Sequence, residues 1–176
     1  MENEHARILE VLQTALQMEI DGKEFYEKAA QKSGNELATE LFQQLAREED
    51  SHRQKFVEIY EAYKRRQSWP DIEAPSEEGT KLRSLFARAT EALGTKSRVA
   101  RDELEAIKVA IDMEVESFNL YHSRAEQTTV ATEKRFYEAL AGEERQHQLA
   151  LSDTYEYLCD PAGWFTKKEH WSLDGA

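Results

Sequence analysis

The chain repeats itself around a set of metal-ligand residue types. Glu19, Glu49 and His52 recur as Glu114, Glu144 and His147, each displaced by 95 positions without a gap. Their surroundings recur too. Met18-Glu19-Ile20 matches Met113-Glu114-Val115, Tyr26 matches Tyr121, Ala30 matches Ala125, and Leu45-Ala46-x-Glu48-Glu49-x-x-His52 matches Leu140-Ala141-x-Glu143-Glu144-x-x-His147. A chain of this kind can fold as two similar halves that share one central site.

The residues between these positions have a helical period. Ile8, Leu12, Ala15, Glu19, Gly22, Tyr26 and Ala29 follow one another in alternating steps of four and three, which places them on one stripe of a helix over about 4–32. A second stripe runs Ala38, Phe42, Leu45, Glu49, His52, Phe56, Ile59, Tyr63 and predicts a helix over 36–66, with Ser33-Gly34-Asn35 as the turn before it. Ile107, Ala110, Glu114, Ser117, Tyr121 and then Tyr137, Leu140, Glu144, His147, Leu151, Thr154, Leu158 predict two more helices, over 101–127 and 132–158. Residues equally far from the turn of an antiparallel hairpin face each other. Gly34 lies 15 residues from both Glu19 and Glu49, and Thr129 lies 15 from both Glu114 and Glu144, so each hairpin brings its two glutamates to one height.

The segment 67–100 is far longer than the roughly 2–8 residues that join adjacent antiparallel helices, and it contains Lys81 to Leu93, which can form a short helix. It is read as a crossover that carries the chain back along the bundle, so that the third long helix runs parallel to the second and the hairpins are related by a pseudo-twofold axis. The expected architecture is therefore a single all-α domain over 1–176: a four-helix bundle with this crossover and a short tail over 159–176. The tail is rich in aromatics, including Trp164, Phe165 and Trp171, and is expected to cap the bundle or join a subunit interface, with a substrate gate as the other role open to it.

Composition narrows the function. With 176 residues the chain can bury a core without cross-links, and three prolines and seven glycines suit long helices. A net charge of −12 disfavours nucleic acid and anionic membrane surfaces as partners. No charge-free stretch approaches the roughly 18 residues that span a bilayer, and the polar start Met-Glu-Asn-Glu-His is no signal sequence, so a cytoplasmic protein is expected. The single cysteine, Cys159, allows no internal disulfide or Cys-x-x-Cys knuckle and reads as a small buried apolar residue.

Within a helix, positions i and i+3 share a face, so each Glu-x-x-His presents a carboxylate and an imidazole to one point. All six of these residues sit inside apolar stripes, where four unpaired carboxylates would cost several kcal/mol each. Two divalent ions beside neutral histidines balance four glutamates; one ion leaves a large excess of negative charge. Glu49 and Glu144 are placed to bridge, while Glu19 with His52 and Glu114 with His147 hold one ion each. Oxygen-rich ligation with one imidazole per ion suits iron first, with manganese or zinc as alternatives. Two such ions about 3.5–4 Å apart can share the electrons that reduce oxygen or peroxide, or cooperate in hydrolysis.

Tyr26 and Tyr121 lie two helical turns beyond Glu19 and Glu114. Their phenols either hydrogen-bond the ligand carboxylates or bound peroxide, as catalytic groups, or simply fill the bundle with the hydroxyl on a nearby acceptor. Glu48 and Glu143 read as surface charge, and orienting helices or histidines is the other role open to them. His5, His122 and His170 have no counterpart in the repeat and receive no ligand role.

These residues resemble the ferritin-like superfamily of diiron-carboxylate proteins, and within it the rubrerythrins. The likeness covers about residues 4–158. It implies a ferritin-like bundle, Glu19, Glu49, His52, Glu114, Glu144 and His147 as ligands of two iron ions, and the reduction of hydrogen peroxide or oxygen with electrons from Fe(II) or an external donor protein. Rubrerythrins usually carry a rubredoxin-like module with paired Cys-x-x-Cys motifs, which this sequence lacks, so the electrons are expected from a separate donor. They also usually carry a further carboxylate one turn after the third-helix glutamate, where this chain has Ser117, so their redox-linked ligand exchange does not carry over. A homo-oligomer such as a dimer is expected. The rival readings are a ferritin-like ferroxidase for iron storage or delivery, and a helical interaction module whose dimetal site is structural.

Overall fold

The computed structural model describes residues 2–66, 68–71 and 79–166. Four long helices, α1 (Glu2–Lys32), α2 (Glu36–Arg66), α4 (Arg101–Gln127) and α5 (Ala131–Cys159), fall within a residue or two of the stripes that predict them, and α3 (Gly79–Leu93) occupies the crossover. Residues 67 and 72–78 of that crossover, and residues 167–176 of the tail with Trp171, lie outside the described residues. Among the described residues there is no strand, and no helix is long and apolar enough to cross a membrane. The fold is an all-α, ferritin-like bundle.

α1 packs on α2 and α4 on α5 as two hairpins, which meet through α1 against α4 and α2 against α5. The bonds across these seams fix their direction. Tyr26 reaches Glu114 while Tyr121 reaches Glu19, and His52 reaches Glu143 while His147 reaches Glu48. In each pair of bonds a later residue on one helix meets an earlier one on the other, so both seams are antiparallel, and the displacement of 95 exchanges the two bonds of each pair. That is the pseudo-twofold relation, and it follows from a crossover that brings the chain back to the end where α2 began.

The ends of the hairpins are tied by capping. Asn35 is the N-cap of α2: its Oδ1 accepts from Ala38 N at 3.1 Å, and its Nδ2 donates to Arg98 O at 2.9 Å. Glu103, in the first turn of α4, accepts from Ala100 N at 2.9 Å, Gly34 N at 2.8 Å, Asn35 N at 3.0 Å and Ser33 Oγ at 2.5 Å. One carboxylate thus satisfies amides that the starts of α2 and α4 leave without helical partners. Gly94, at φ 54°, takes the left-handed conformation that ends α3, and its carbonyl accepts from Tyr157 Oη at 2.6 Å.

Two apolar clusters fill the bundle. Phe42, Leu41, Leu45, Leu82, Ile107, Leu151 and Tyr157 pack at one end, and Leu12, Phe56, Ile59, Phe136, Tyr137 and Leu140 at the other. Each fully buried Leu, Ile or Phe contributes about 1.5–3 kcal/mol. α3 lies on α2 and α5 and adds Leu82 and Leu85 to the first cluster. The described part of the tail caps the same end, with Trp164 edge-on to Phe86 at 5.4 Å and Phe165 edge-on to Tyr157 at 6.2 Å. Cys159 departs from expectation and is exposed. It follows Leu158 on the buried stripe and so turns about 100° away from it, at the last residue of the helix.

Candidate metal centre

Between the two apolar clusters lies a layer of buried charge. Glu19, Glu49, His52, Glu114, Glu144 and His147, one or two from each long helix, are at most 5% exposed. The four-three stripes put them there, because each replaces an apolar residue in its own repeat. Ligand atoms of Glu49, Glu114, Glu144 and His147 lie within 4.8 Å of one another, and so do those of Glu19, Glu49 and His52. Glu49 belongs to both groups. Glu144 also faces both sides, with Oε1 3.4 Å from His52 Nδ1 and Oε2 3.3 Å from His147 Nδ1. Glu19 Oε2 lies 3.4 Å from His52 Nδ1, and Glu114 Oε2 lies 3.4 Å from His147 Nδ1. All six sequence-predicted positions are therefore brought together, with Glu49 and Glu144 in the middle.

Behind each ring stands a further carboxylate. His52 Nε2 is 2.5 Å from Glu143 Oε2, and His147 Nε2 is 2.8 Å from Glu48 Oε2. A carboxylate accepts, so each Nε2 keeps its proton, and Nδ1, which faces the cluster, is the nitrogen left to bind an ion once its own proton is displaced. Glu48 and Glu143 are only 3% and 6% exposed, which overturns their reading as surface charge. They are adjacent in sequence to Glu49 and Glu144, about 100° round the helix, and that flank is closed by the antiparallel packing of α2 on α5. The doubled Glu-Glu pair in the repeat was the signal available for them.

The donor set fits a cation. His52 Nδ1, His147 Nδ1, Glu19 Oε2 and both oxygens of Glu144 are buried without a hydrogen-bond partner. Buried polar atoms of this kind are costly unless something satisfies them, and a positive ion satisfies lone pairs of oxygen and imidazole nitrogen together.

The acid–base state of the metal-free cluster follows from the same crowding. Burial, reinforced by Glu19 and Glu144, pushes Glu49 well above the usual glutamate range. Burial likewise pushes Glu114 up to about 8, with His147 pulling down and Glu144 pushing further up. Glu144 goes the other way: burial would raise it, but the charge of His147 and His52, 3.3 and 3.4 Å from its two oxygens, holds it well below the ordinary value. Both histidines rise well above theirs although burial opposes it, because carboxylates surround them. Without metal the layer keeps its charge down by holding protons, which bound ions displace.

Tyr26 and Tyr121 are buried, and each phenol donates to a cluster carboxylate. The partner is the glutamate of the other half, Glu114 for Tyr26 and Glu19 for Tyr121. Two turns along one helix is a rise of about 10 Å, beyond reach of its own glutamate, whereas the antiparallel seam of α1 and α4 places the other one alongside. Burial and the neighbouring carboxylates push both phenols well above their ordinary value, so they remain protonated donors.

Ser117 is the repeat counterpart of Gly22 and is half-buried. A Cβ at Gly22 would stand 3.4 Å from Glu49 Oε2, so this position on its helix points at the carboxylates. Of the unassigned histidines, His122 is exposed beside Glu126 and His5 stacks on Tyr63, both away from the cluster. His170 lies outside the described residues.

A family model described as Rubrerythrin matches residues 10–155. The chain belongs to the rubrerythrin family. No curated protein and no solved structure matches it. The matched region takes in α2 and α4 whole, most of α1 and α5, and every member of the buried cluster, so the rubrerythrin assignment and the geometry concern the same residues, and the protein is a diiron-carboxylate protein by family with a cluster that can hold metal.

Proposed function

We propose that the protein is a non-haem diiron oxidoreductase that reduces hydrogen peroxide or oxygen, taking electrons from Fe(II) or an external donor protein. The observation that carries this reading is the pair of histidines with Nε2 on a buried carboxylate and Nδ1 turned into a shared four-glutamate cluster. Glu19 with His52 and Glu114 with His147 would each hold one iron, with Glu49 and Glu144 available to both. An iron pair bound there would supply the two electrons that, with two protons, reduce hydrogen peroxide to two molecules of water.

The chain's own groups do the rest. Tyr26 and Tyr121 hold Glu114 and Glu19 in place and keep a protonated hydroxyl beside the reacting space. Glu143 and Glu48 fix the tautomer and plane of the two rings. The apolar clusters above and below exclude bulk water, which strengthens every charge interaction between them. The protein works in the cytoplasm, as a homo-oligomer.

The test is elemental analysis of the Fe(II)-loaded protein followed by anaerobic titration with peroxide and with oxygen. Two irons per chain, oxidised with one peroxide consumed per pair, support the reading. Retention of ferric iron well above two per chain turns it into a storage ferroxidase, and a loaded site that reacts with neither oxidant leaves a structural metal.

A further inference from the structure

The duplicated halves differ behind the histidines. Glu48, which supports His147, receives a second hydrogen bond at its other oxygen, from Gln44 Nε2 at 2.5 Å. Gln44 Oε1 accepts from Arg47 Nη2 at 2.7 Å and Nε at 3.2 Å. Arginine only donates, so the orientation of the amide is settled, with oxygen toward Arg47 and nitrogen toward Glu48. A continuous chain Arg47, Gln44, Glu48, His147 thus runs from the surface into the cluster. At the corresponding places in the other half the sequence has Ala139 for Gln44 and Gly142 for Arg47. Glu143 still meets His52, but its Oε1 is buried without a hydrogen-bond partner.

The inward side differs in the same sense. Three carboxylates, Glu49, Glu114 and Glu144, lie 3.3–3.6 Å from His147 Nδ1, and two, Glu19 and Glu144, lie 3.4 Å from His52 Nδ1.

We propose that Gln44 is a positioning residue that makes the two metal positions unequal: the one at His147 fills first and holds its ion more tightly, and the one at His52 is exchangeable. The inference rests on the dinuclear reading given above. A ring held by a carboxylate that is itself held on both oxygens gives up little freedom when an ion binds, whereas a ring backed by a carboxylate held on one oxygen must be ordered further. Loss of an outer hydrogen-bond partner of this kind lowers metal affinity by about 10–100-fold. The exchangeable position is then the place where a ferrous ion enters and leaves while its neighbour stays bound.

The experiment is an anaerobic calorimetric titration of the metal-free full chain with Co(II), with paramagnetically shifted histidine resonances reporting which ring is ligated at each step. The wild-type chain is expected to bind two ions in two steps at least about tenfold apart in affinity, with the His147 resonances shifted first. Gln44→Ala is expected to weaken the first step by roughly tenfold or more and leave the second unchanged. Ala139→Gln is expected to tighten the second, because a glutamine at i bonds a carboxylate at i+4 on the same helix face. The double variant Gln44→Ala/Ala139→Gln should reverse the order, with His52 shifted first, which a merely structural role for Gln44 cannot produce. Two equal steps in the wild type, or a Gln44→Ala variant that weakens both steps alike or neither, would overturn the proposal and leave the dinuclear reading standing. Uptake of fewer than two ions by the wild type removes the dinuclear reading and this inference with it.

Discussion

Chelating the metal should make the stability of this protein fall as pH rises from 6 to 8. In the metal-free fold Glu114 is pushed up to about 8 by burial, while an unfolded glutamate titrates near 4.3. Between these values the folded chain holds a proton that the unfolded chain has lost, so unfolding releases it and raising the pH favours unfolding. The slope is about 1.4 kcal/mol per pH unit while the folded group stays protonated, and it flattens as pH nears 8, giving about 2 kcal/mol over the interval from Glu114 alone. Glu49, His52 and His147, all raised in the fold, act in the same direction. Glu144, held low, is ionised in both states throughout this window and contributes no slope. For a chain of this size 1 kcal/mol corresponds to about 2–4 °C in Tm, so a drop of about 4–8 °C is the least expected. Ions take the place of the protons, so the loaded protein should melt higher and show little of this slope. Far-UV circular dichroism melts at pH 6, 7 and 8, with chelator or with Zn(II) to avoid redox chemistry, measure both, and Glu114→Gln should reduce the slope in the metal-free state. A metal-free Tm that is constant or rises from pH 6 to 8 would refute the argument that these groups share one buried layer.

Three further outcomes are expected. Tyr26→Phe and Tyr121→Phe each remove the donor to a cluster carboxylate while keeping the ring, and should slow peroxide oxidation of the diferrous protein by about 10–100-fold with the fold intact; stopped-flow absorption checks it, and full rates in the double variant would leave the phenols as packing groups. Glu103→Ala removes the acceptor of the Gly34, Asn35 and Ala100 amides, of which Asn35 alone belongs to a buried residue, and should destabilise metal-free and loaded protein alike by about 1–3 kcal/mol in urea unfolding. Ser117→Glu should place a new carboxylate one turn from Glu114, on the face where Gly22 points in the other half, and raise the ratio of peroxide to oxygen reaction rates. An unchanged ratio with the new carboxylate shown to bind iron would make Ser117 irrelevant to oxidant choice.

Local periodicity carried much of this molecule in plain view. Steps of four and three mark a buried stripe wherever a helix packs on neighbours, so the four long helices, and the six charged residues lying inside their stripes, were legible from spacing. The repeat added that the two halves meet at one place. Contacts made off the stripe were not legible. Glu48 and Glu143 sit about 100° from it, on a flank that a lone helix would show to water, and only the antiparallel packing of α2 on α5 sets each against the histidine of the opposite half. The partners of Tyr26 and Tyr121 were hidden for the same reason, because a helix separates each phenol from its own glutamate by about 10 Å and the seam between α1 and α4 supplies the other. The difference between Gln44 and Ala139 was present in the sequence throughout, but it acquired a meaning only when Glu48 was found buried behind His147. One-dimensional spacing reports which face of a helix is inside; which side chain waits across the seam depends on the direction and height at which two helices cross.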